Sequence, residues 1–231
     1  LDRSISRILR LIEQSGRHAD LQKKAASEFN ENDQHFLSRK MAAESLVLLK
    51  NFNDTLPLNQ NKSVALIGSM AKYFRFQGSG SSRVNPTRSL SMLDVFRSNN
   101  VNFEYADGYN MKDNNNKDLI KEAVDTASNH DLALVFVGLP EEYESEGLDR
   151  KNLTLPDEQN LLIEVLADAN IKIVVVLTGG SPVTMPWIKS IDALLNVYLP
   201  GQAGAEAITD VLFGKVNPSG KLAETYPLSI E

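Results

Sequence analysis

The chain has 231 residues, 42% hydrophobic and 23% charged, with a formal net charge of −6 and no cysteine. That length supports one large domain with a substantial core, or one domain plus an appendage. The acidic balance argues against nucleic acid or an anionic membrane surface as partner, and the missing cysteines exclude disulfides, thiolate metal sites and cysteine nucleophiles. No apolar run approaches the roughly 20 residues of a membrane-spanning helix. A cysteine-free chain fits a reducing compartment such as the cytoplasm. Three Asn-x-Ser/Thr triplets, at Asn53, Asn61 and Asn152, leave secretion open.

The chain opens without Met, inside a helical pattern, and reads as a piece of a longer protein whose leader, if any, lies upstream. Residues 1–14 read as an amphipathic helix, with Leu1, Ile5, Ile8, Leu9 and Ile12 on one face and Gly16 as its stop. Residues 17–34 are polar and read as a linker, with an internal boundary near residue 33. Helical spacing resumes over 35–51 through Phe36, Met41, Leu46 and Leu49. Beyond it, short apolar runs at 64–68, 101–106, 132–137, 172–177 and 193–198 alternate with helical patterns at 90–98, 117–128, 157–169 and 203–213. The runs are rich in Val, Leu and Ile, as strands buried on both faces require. Ser91 with Asp94, and Thr154 with Asp157, have capping-box spacing. The alternation predicts a doubly wound α/β sandwich of flavodoxin type, a mostly parallel sheet covered by helices on both faces. Ligands of such sheets bind beyond the carboxyl ends of the strands, so the loops 69–89, 138–156, 178–186 and 199–202 are where function is expected.

Those loops hold the unusual local sequences. Gly78-Ser-Gly-Ser-Ser82, followed by Arg83, Asn85 and Pro86, lets backbone N–H groups and small hydroxyls approach a ligand closely. Its spacing matches neither GxGxxG nor GxxxxGK[ST]. A sugar, a phosphate or a plain surface loop all remain open for it. In Glu141-Glu-Tyr-Glu-Ser-Glu146-Gly-Leu-Asp149-Arg150, four glutamates fall within six residues. Like charges that close raise one another's pKa, which is what a general acid needs at neutral pH. A solvated acidic face is the plainer alternative, and the 12-residue spacing of a calcium loop is absent. Asp149 and Arg150 read as an ion pair that shapes this loop. Trp187 is expected in the core. His18, His35 and His130 match no nucleophile or metal-ligand spacing, so no metal and no cofactor is expected.

Several stretches together resemble glycoside hydrolase family 3. They are His35-Phe-Leu-Ser-Arg-Lys-Met-Ala-Ala-Glu-Ser-Leu-Val-Leu-Leu-Lys-Asn51, the GSGSSRVNP loop, Glu144-Ser-Glu-Gly-Leu-Asp-Arg150, Leu155-Pro with Gln159, Val183-Thr-Met-Pro-Trp187, Leu199-Pro-Gly-Gln202, and Asp210-Val-Leu-Phe-Gly214 through Leu222. Each is weak alone; their order and spacing over residues 1–227 are specific. Ala203-Gly-Ala205 and Ala223 depart from the family's usual residues.

The resemblance implies that residues 1–33 are the last helix of a preceding barrel domain plus a linker, and that 34–231 form the α/β sandwich. In the family the barrel supplies the nucleophilic aspartate and the sandwich supplies the acid/base carboxylate. The E-G-x-D-R pattern puts that carboxylate on Glu146, with Glu144 and Glu142 as fallbacks. Ser79, Ser81 and Arg83 fall where contacts to sugar hydroxyls are expected. The implied activity is that of a retaining β-glycosidase, foremost a β-glucosidase, with the fragment inactive alone. Its partners are a β-glucoside or oligosaccharide and the barrel of the same enzyme, with homo-oligomerisation open. β-Xylosidase specificity rests on the barrel, and the acidic loop argues against an N-acetylglucosaminidase. The rival readings are a nucleotide-binding sandwich, disfavoured by the glycine spacing, and a noncatalytic sugar-binding or scaffold module.

Overall fold

The computed structural model describes residues 1–24, 30–110 and 116–229, with backbone alone over 17–24. Contacts divide the chain into two compact units, Leu1–Gln34 and His35–Glu231. The first unit contains α1 (Asp2–Lys24), whose apolar residues Ile5, Ile8, Leu9 and Ile12 are exposed. Gly16 does not stop this helix. A glycine in a helix interior costs only about 1 kcal/mol relative to alanine, and the residues that follow it include good helix formers. The expected linker is correspondingly shorter, and its residues 25–29 lie outside the described residues.

Helix α2 (Glu31–Ser45) starts earlier than its spacing predicts, because the Asn30 side chain accepts from the N–H groups of Asn32 (3.0 Å) and Asp33 (3.3 Å). It also ends earlier. The residues expected to form its last turn are instead β1 (Val47–Asn51), paired antiparallel with β6 (Ala193–Tyr198). The apolar face read from the sequence is split: Phe36 and Met41 are exposed, whereas Leu46 is fully buried. The helix buries His35, Ala42 and Ala43. Val47 to Leu49, within the unbroken apolar run that begins at Leu46, belong to the strand, since a one-faced helix has no use for four consecutive apolar residues.

The other strands lie within two residues of their predicted positions. They are β2 (Val64–Ile67), β3 (Phe103–Ala106), β4 (Leu132–Gly138) and β5 (Ile173–Thr178), and with β1 and β6 they form one sheet in the order β1-β6-β5-β4-β2-β3. All pairings except β1 with β6 are parallel. Every residue of β2, β4 and β5 is buried, and each such Val, Leu or Ile contributes on the order of 1.5–3 kcal/mol. The helices α3 (Ser69–Lys72), α4 (Met92–Ser98), α5 (Lys117–Ser128), α6 (Asp157–Asp168) and α7 (Gly204–Leu212) pack as two groups, α5 with α6 and α4 with α3 and α7. Right-handed crossovers explain the grouping, because β2-α4-β3 and β4-α6-β5 run in opposite directions along the sheet and so place their helices on opposite faces. The Ser91–Asp94 capping box is formed. The expected Thr154–Asp157 box is not, because the Thr154 hydroxyl lies 3.0 Å from Asn152 Oδ1, and Pro156 precedes α6.

The strand order reverses at β2: the chain moves from β2 outward to β3, then returns to lay β4 on the other side. Here the two strands approach closely. Gly68 follows β2 with φ 112°, and a Cβ built on it would stand 2.2 Å from the carbonyl oxygen of Phe136. Neither the dihedral nor the space tolerates a side chain. Gly68→Ala is expected to destabilise the domain by about 3 kcal/mol or more, read as a lowered urea midpoint. A midpoint within error of the parent would refute the close approach.

Candidate active site

Two loops leave the sheet from the carboxyl ends of β2 and β4, one on each side of the reversal, and a third leaves β5 beside them. The β4 loop is fixed at its root. Gly138 N donates to the buried Gln159 side chain (2.8 Å), and Leu139 N donates to Thr178 O (3.0 Å). Loops 77–89 and 140–152 therefore share one edge of the sheet, as their parallel strands require.

The centre of the contact is Glu144. Its side chain is only 9% exposed and faces Arg75, itself 6% exposed, with Arg75 Nη1 at 2.5 Å from Glu144 Oε2. Gly180 N also donates to Oε2 (3.0 Å), and the Ser181 hydroxyl donates to Oε1. The Glu144 carbonyl oxygen accepts from the Ser79 hydroxyl (3.0 Å). One residue thus ties together the loops after β2, β4 and β5. Arg75 additionally donates from Nη1 to Leu139 O (2.6 Å).

Two residues further on, Glu146 stands exposed at the surface. Its Oε2 accepts from Ser81 N (3.1 Å) and from the Ser81 hydroxyl. Gly80 makes room for this contact: it has φ 74°, and a Cβ there would lie 2.9 Å from Glu146 Cβ. The Ser81 hydroxyl, then its N–H, hold the Glu146 carboxyl below the usual carboxylate range. Mutual repulsion among the four glutamates is expected to raise such a pKa; for Glu146 the shift is instead downward, and what opposes the two donors is desolvation.

The remaining sequence candidates are distributed around this pair. The Ser79 hydroxyl is engaged with backbone, at Glu144 O and at 3.4 Å from Glu141 O. Arg83 is exposed and lies 3.7 Å from Glu141 Oε2. Arg83, Glu141 and Glu142 line a cleft of about 570 Å³ together with Tyr73, Phe74 and Pro140. Asp149 and Arg150 form no ion pair. Arg150 instead donates to Pro182 O (2.8 Å), so a main-chain acceptor of the neighbouring loop takes the place of Asp149. Trp187 is buried, with its indole N–H on Asn160 Oδ1 (2.8 Å). Arg75 is the one member of the assembly that sequence reasoning passes over. A charge flanked by aromatics in Tyr73-Phe-Arg-Phe76 was the available sign that it is buried and paired.

Residues 46–231 match the model of the glycosyl hydrolase family 3 C-terminal domain. The chain belongs to glycoside hydrolase family 3. It is 47% identical to thermostable beta-glucosidase B of Acetivibrio thermocellus, an alignment that covers all of this chain and 30% of the relative. With an exo-alpha-(1->6)-L-arabinopyranosidase of Bifidobacterium longum it shares 42% identity over 84% of its length and 27% of the relative's. The crystal structure of the Bifidobacterium adolescentis GH3 beta-glucosidase superposes with a TM-score of 0.84 at 42% identity, covering 89% of this chain and 30% of that one. The chain therefore spans about 30% of the length of the first of these relatives, and its fold is that of a family 3 C-terminal sandwich.

The Ser81–Glu146 contact itself depends on pH. A carboxyl whose pKa is depressed in the folded chain holds its contact above its unfolded pKa and loses it as pH falls through the folded value. Ser81→Ala removes the larger of the two donors, so the Glu146 titration midpoint, followed by carboxyl carbon NMR, is expected to move up. An unchanged or lower midpoint would refute the assigned cause.

Proposed function

We propose that this domain supplies the acid/base carboxylate of a retaining β-glycosidase, foremost a β-glucosidase, and that Glu146 is that carboxylate. The nucleophilic aspartate stands on a barrel domain outside this chain. The observation that carries the reading is the position of Glu146: an exposed carboxylate at the carboxyl edge of a parallel sheet, where the strand order reverses, oriented by donors from the facing loop. The names of the relatives support the substrate class.

In this reading the aspartate attacks the anomeric carbon while Glu146 protonates the departing oxygen. Glu146 then deprotonates the water that releases the sugar. Retention requires the two carboxyl groups to stand about 5 Å apart, so Glu146 must reach across to the partner domain, which suits a side chain at a loop tip. In the free domain Glu146 is depressed and ionised. Substrate closing over it removes water, which favours the neutral acid and raises the pKa toward that of a proton donor. Glu144 does not suit the role, because both oxygens of its side chain already accept, Oε2 from the buried Arg75 and from Gly180 N, and Oε1 from the Ser181 hydroxyl. Glu142 stays exposed at the cleft, with no such orienting partner among the described residues. The arabinopyranosidase relative makes α-L-arabinopyranosides the second substrate class to assay.

The isolated chain is expected not to hydrolyse aryl β-glucosides; turnover proportional to the amount of pure chain would sink the two-domain account. In the full-length enzyme, Glu146→Ala is expected to slow hydrolysis of a poor leaving group by about 10²–10⁴-fold. An activated aryl leaving group departs without help, so its first step suffers little, and azide restores turnover by attacking the accumulated glycosyl-enzyme. Equal losses on both substrates with no azide rescue would assign the acid elsewhere in the loop.

A further inference from the structure

The reaction just described makes no use of the buried ion pair beneath the Glu146 loop. We infer that Arg75 and Glu144 are positioning residues: their pair anchors the backbone two residues before Glu146 to the loops after β2 and β5, and so sets where the acid/base carboxylate stands. This inference rests on the assignment of Glu146.

Three observations carry it. First, both Glu144 carboxylate oxygens are engaged, with Arg75 Nη1 and Gly180 N on Oε2 and the Ser181 hydroxyl on Oε1. The side chain is only 9% exposed and each of these donors comes from the protein, so what it does is hold. Second, Arg75 Nη1 spans the loop, with Leu139 O at its root and Glu144 in its middle. The guanidinium keeps this geometry while its Nε and Nη2 stay buried without a hydrogen-bond partner. Buried donors without partners destabilise, and an apolar pair of similar volume often serves stability at least as well. The arrangement therefore makes sense as geometry more than as stability. Third, the two struts run side by side: Ser79 holds the carbonyl of Glu144, and Ser81 holds the carboxylate of Glu146. Two residues of chain span at most about 7 Å, so a displacement at Glu144 passes to Glu146 with little attenuation. A misplacement of about 1 Å at a reacting group costs on the order of 10²-fold in rate.

The test uses the full-length enzyme with Glu144→Gln, which keeps shape and loses charge, and with the milder Arg75→Lys and Ser181→Ala in case the first does not fold. Each is assayed on an alkyl β-glucoside and on a dinitrophenyl β-glucoside. The expected result is a loss of roughly 10–100-fold in kcat on the alkyl substrate, little loss on the dinitrophenyl substrate, and KM nearly unchanged. Combined with Glu146→Ala, the Glu144→Gln change should cost almost nothing more, because the group that it positions is gone. Equal losses on both substrates, or full additivity in the double variant, would overturn the inference and leave the pair a structural one. If Glu146→Ala itself shows no leaving-group dependence, the Glu146 assignment falls and this inference with it. If Glu146→Ala shows it and none of the three positioning variants does, only the positioning role falls.

Discussion

The constraint on which the site depends is the order in which the strands join the sheet. β2 is the first of the parallel strands, β3 goes to one side of it and β4 to the other, and right-handed crossovers then force the intervening helices onto opposite faces. The loops leaving β2 and β4 part at the carboxyl edge and leave a crevice between them. Arg75, Ser79, Ser81, Glu144 and Glu146 stand on the lips of that crevice or brace them. The narrowness of its floor is set by Gly68, whose missing side chain lets β2 and β4 stay in register right up to the point of divergence.

Four glutamates in one short loop would seem to describe a single acidic surface, yet their environments divide them. Glu144 is taken inward by an arginine and by two donors of the β5 loop. Glu146 is turned toward the glycine–serine loop, where a hydroxyl and an amide meet it. Glu141 and Glu142 remain in water at the cleft. The division follows from which donors each carboxylate meets: charge-assisted hydrogen bonds fix Glu144 and Glu146, whereas Glu141 and Glu142 stay exposed. Removing one member of the Arg75–Glu144 pair would leave the other charge buried alone, at a cost of about 3–5 kcal/mol.

Much of this was readable in the residues. The Val- and Leu-rich runs announce β4 and β5 because a strand covered on both faces has no polar positions to interrupt it. Family-specific strings carry the domain assignment that periodicity alone could not. What misled was local: Leu46 to Leu49 continue an acceptable helical spacing, and only pairing with β6, about 145 residues away in sequence, makes Val47–Asn51 a strand. The partner of Arg75 was hidden for the same reason, because it is Glu144, 69 residues on. The Gly/Ser loop and the acidic loop could each be singled out, but that Ser81 meets Glu146 follows only once both are seen to leave one edge of one sheet.

The Gln159 side chain illustrates what such anchoring does. It is wholly buried on α6, and it supplies an acceptor to Gly138 N at the point where β4 stops and its loop begins. With Leu139 N held by Thr178 O as well, the first freely rotating bonds of the loop lie beyond the sheet. The loop then has fewer backbone torsions left to freeze when a ligand closes on its tip. At roughly 1–2 kcal/mol of conformational entropy for each residue immobilised, a pinned root retains binding free energy that a loose loop would lose to ordering itself.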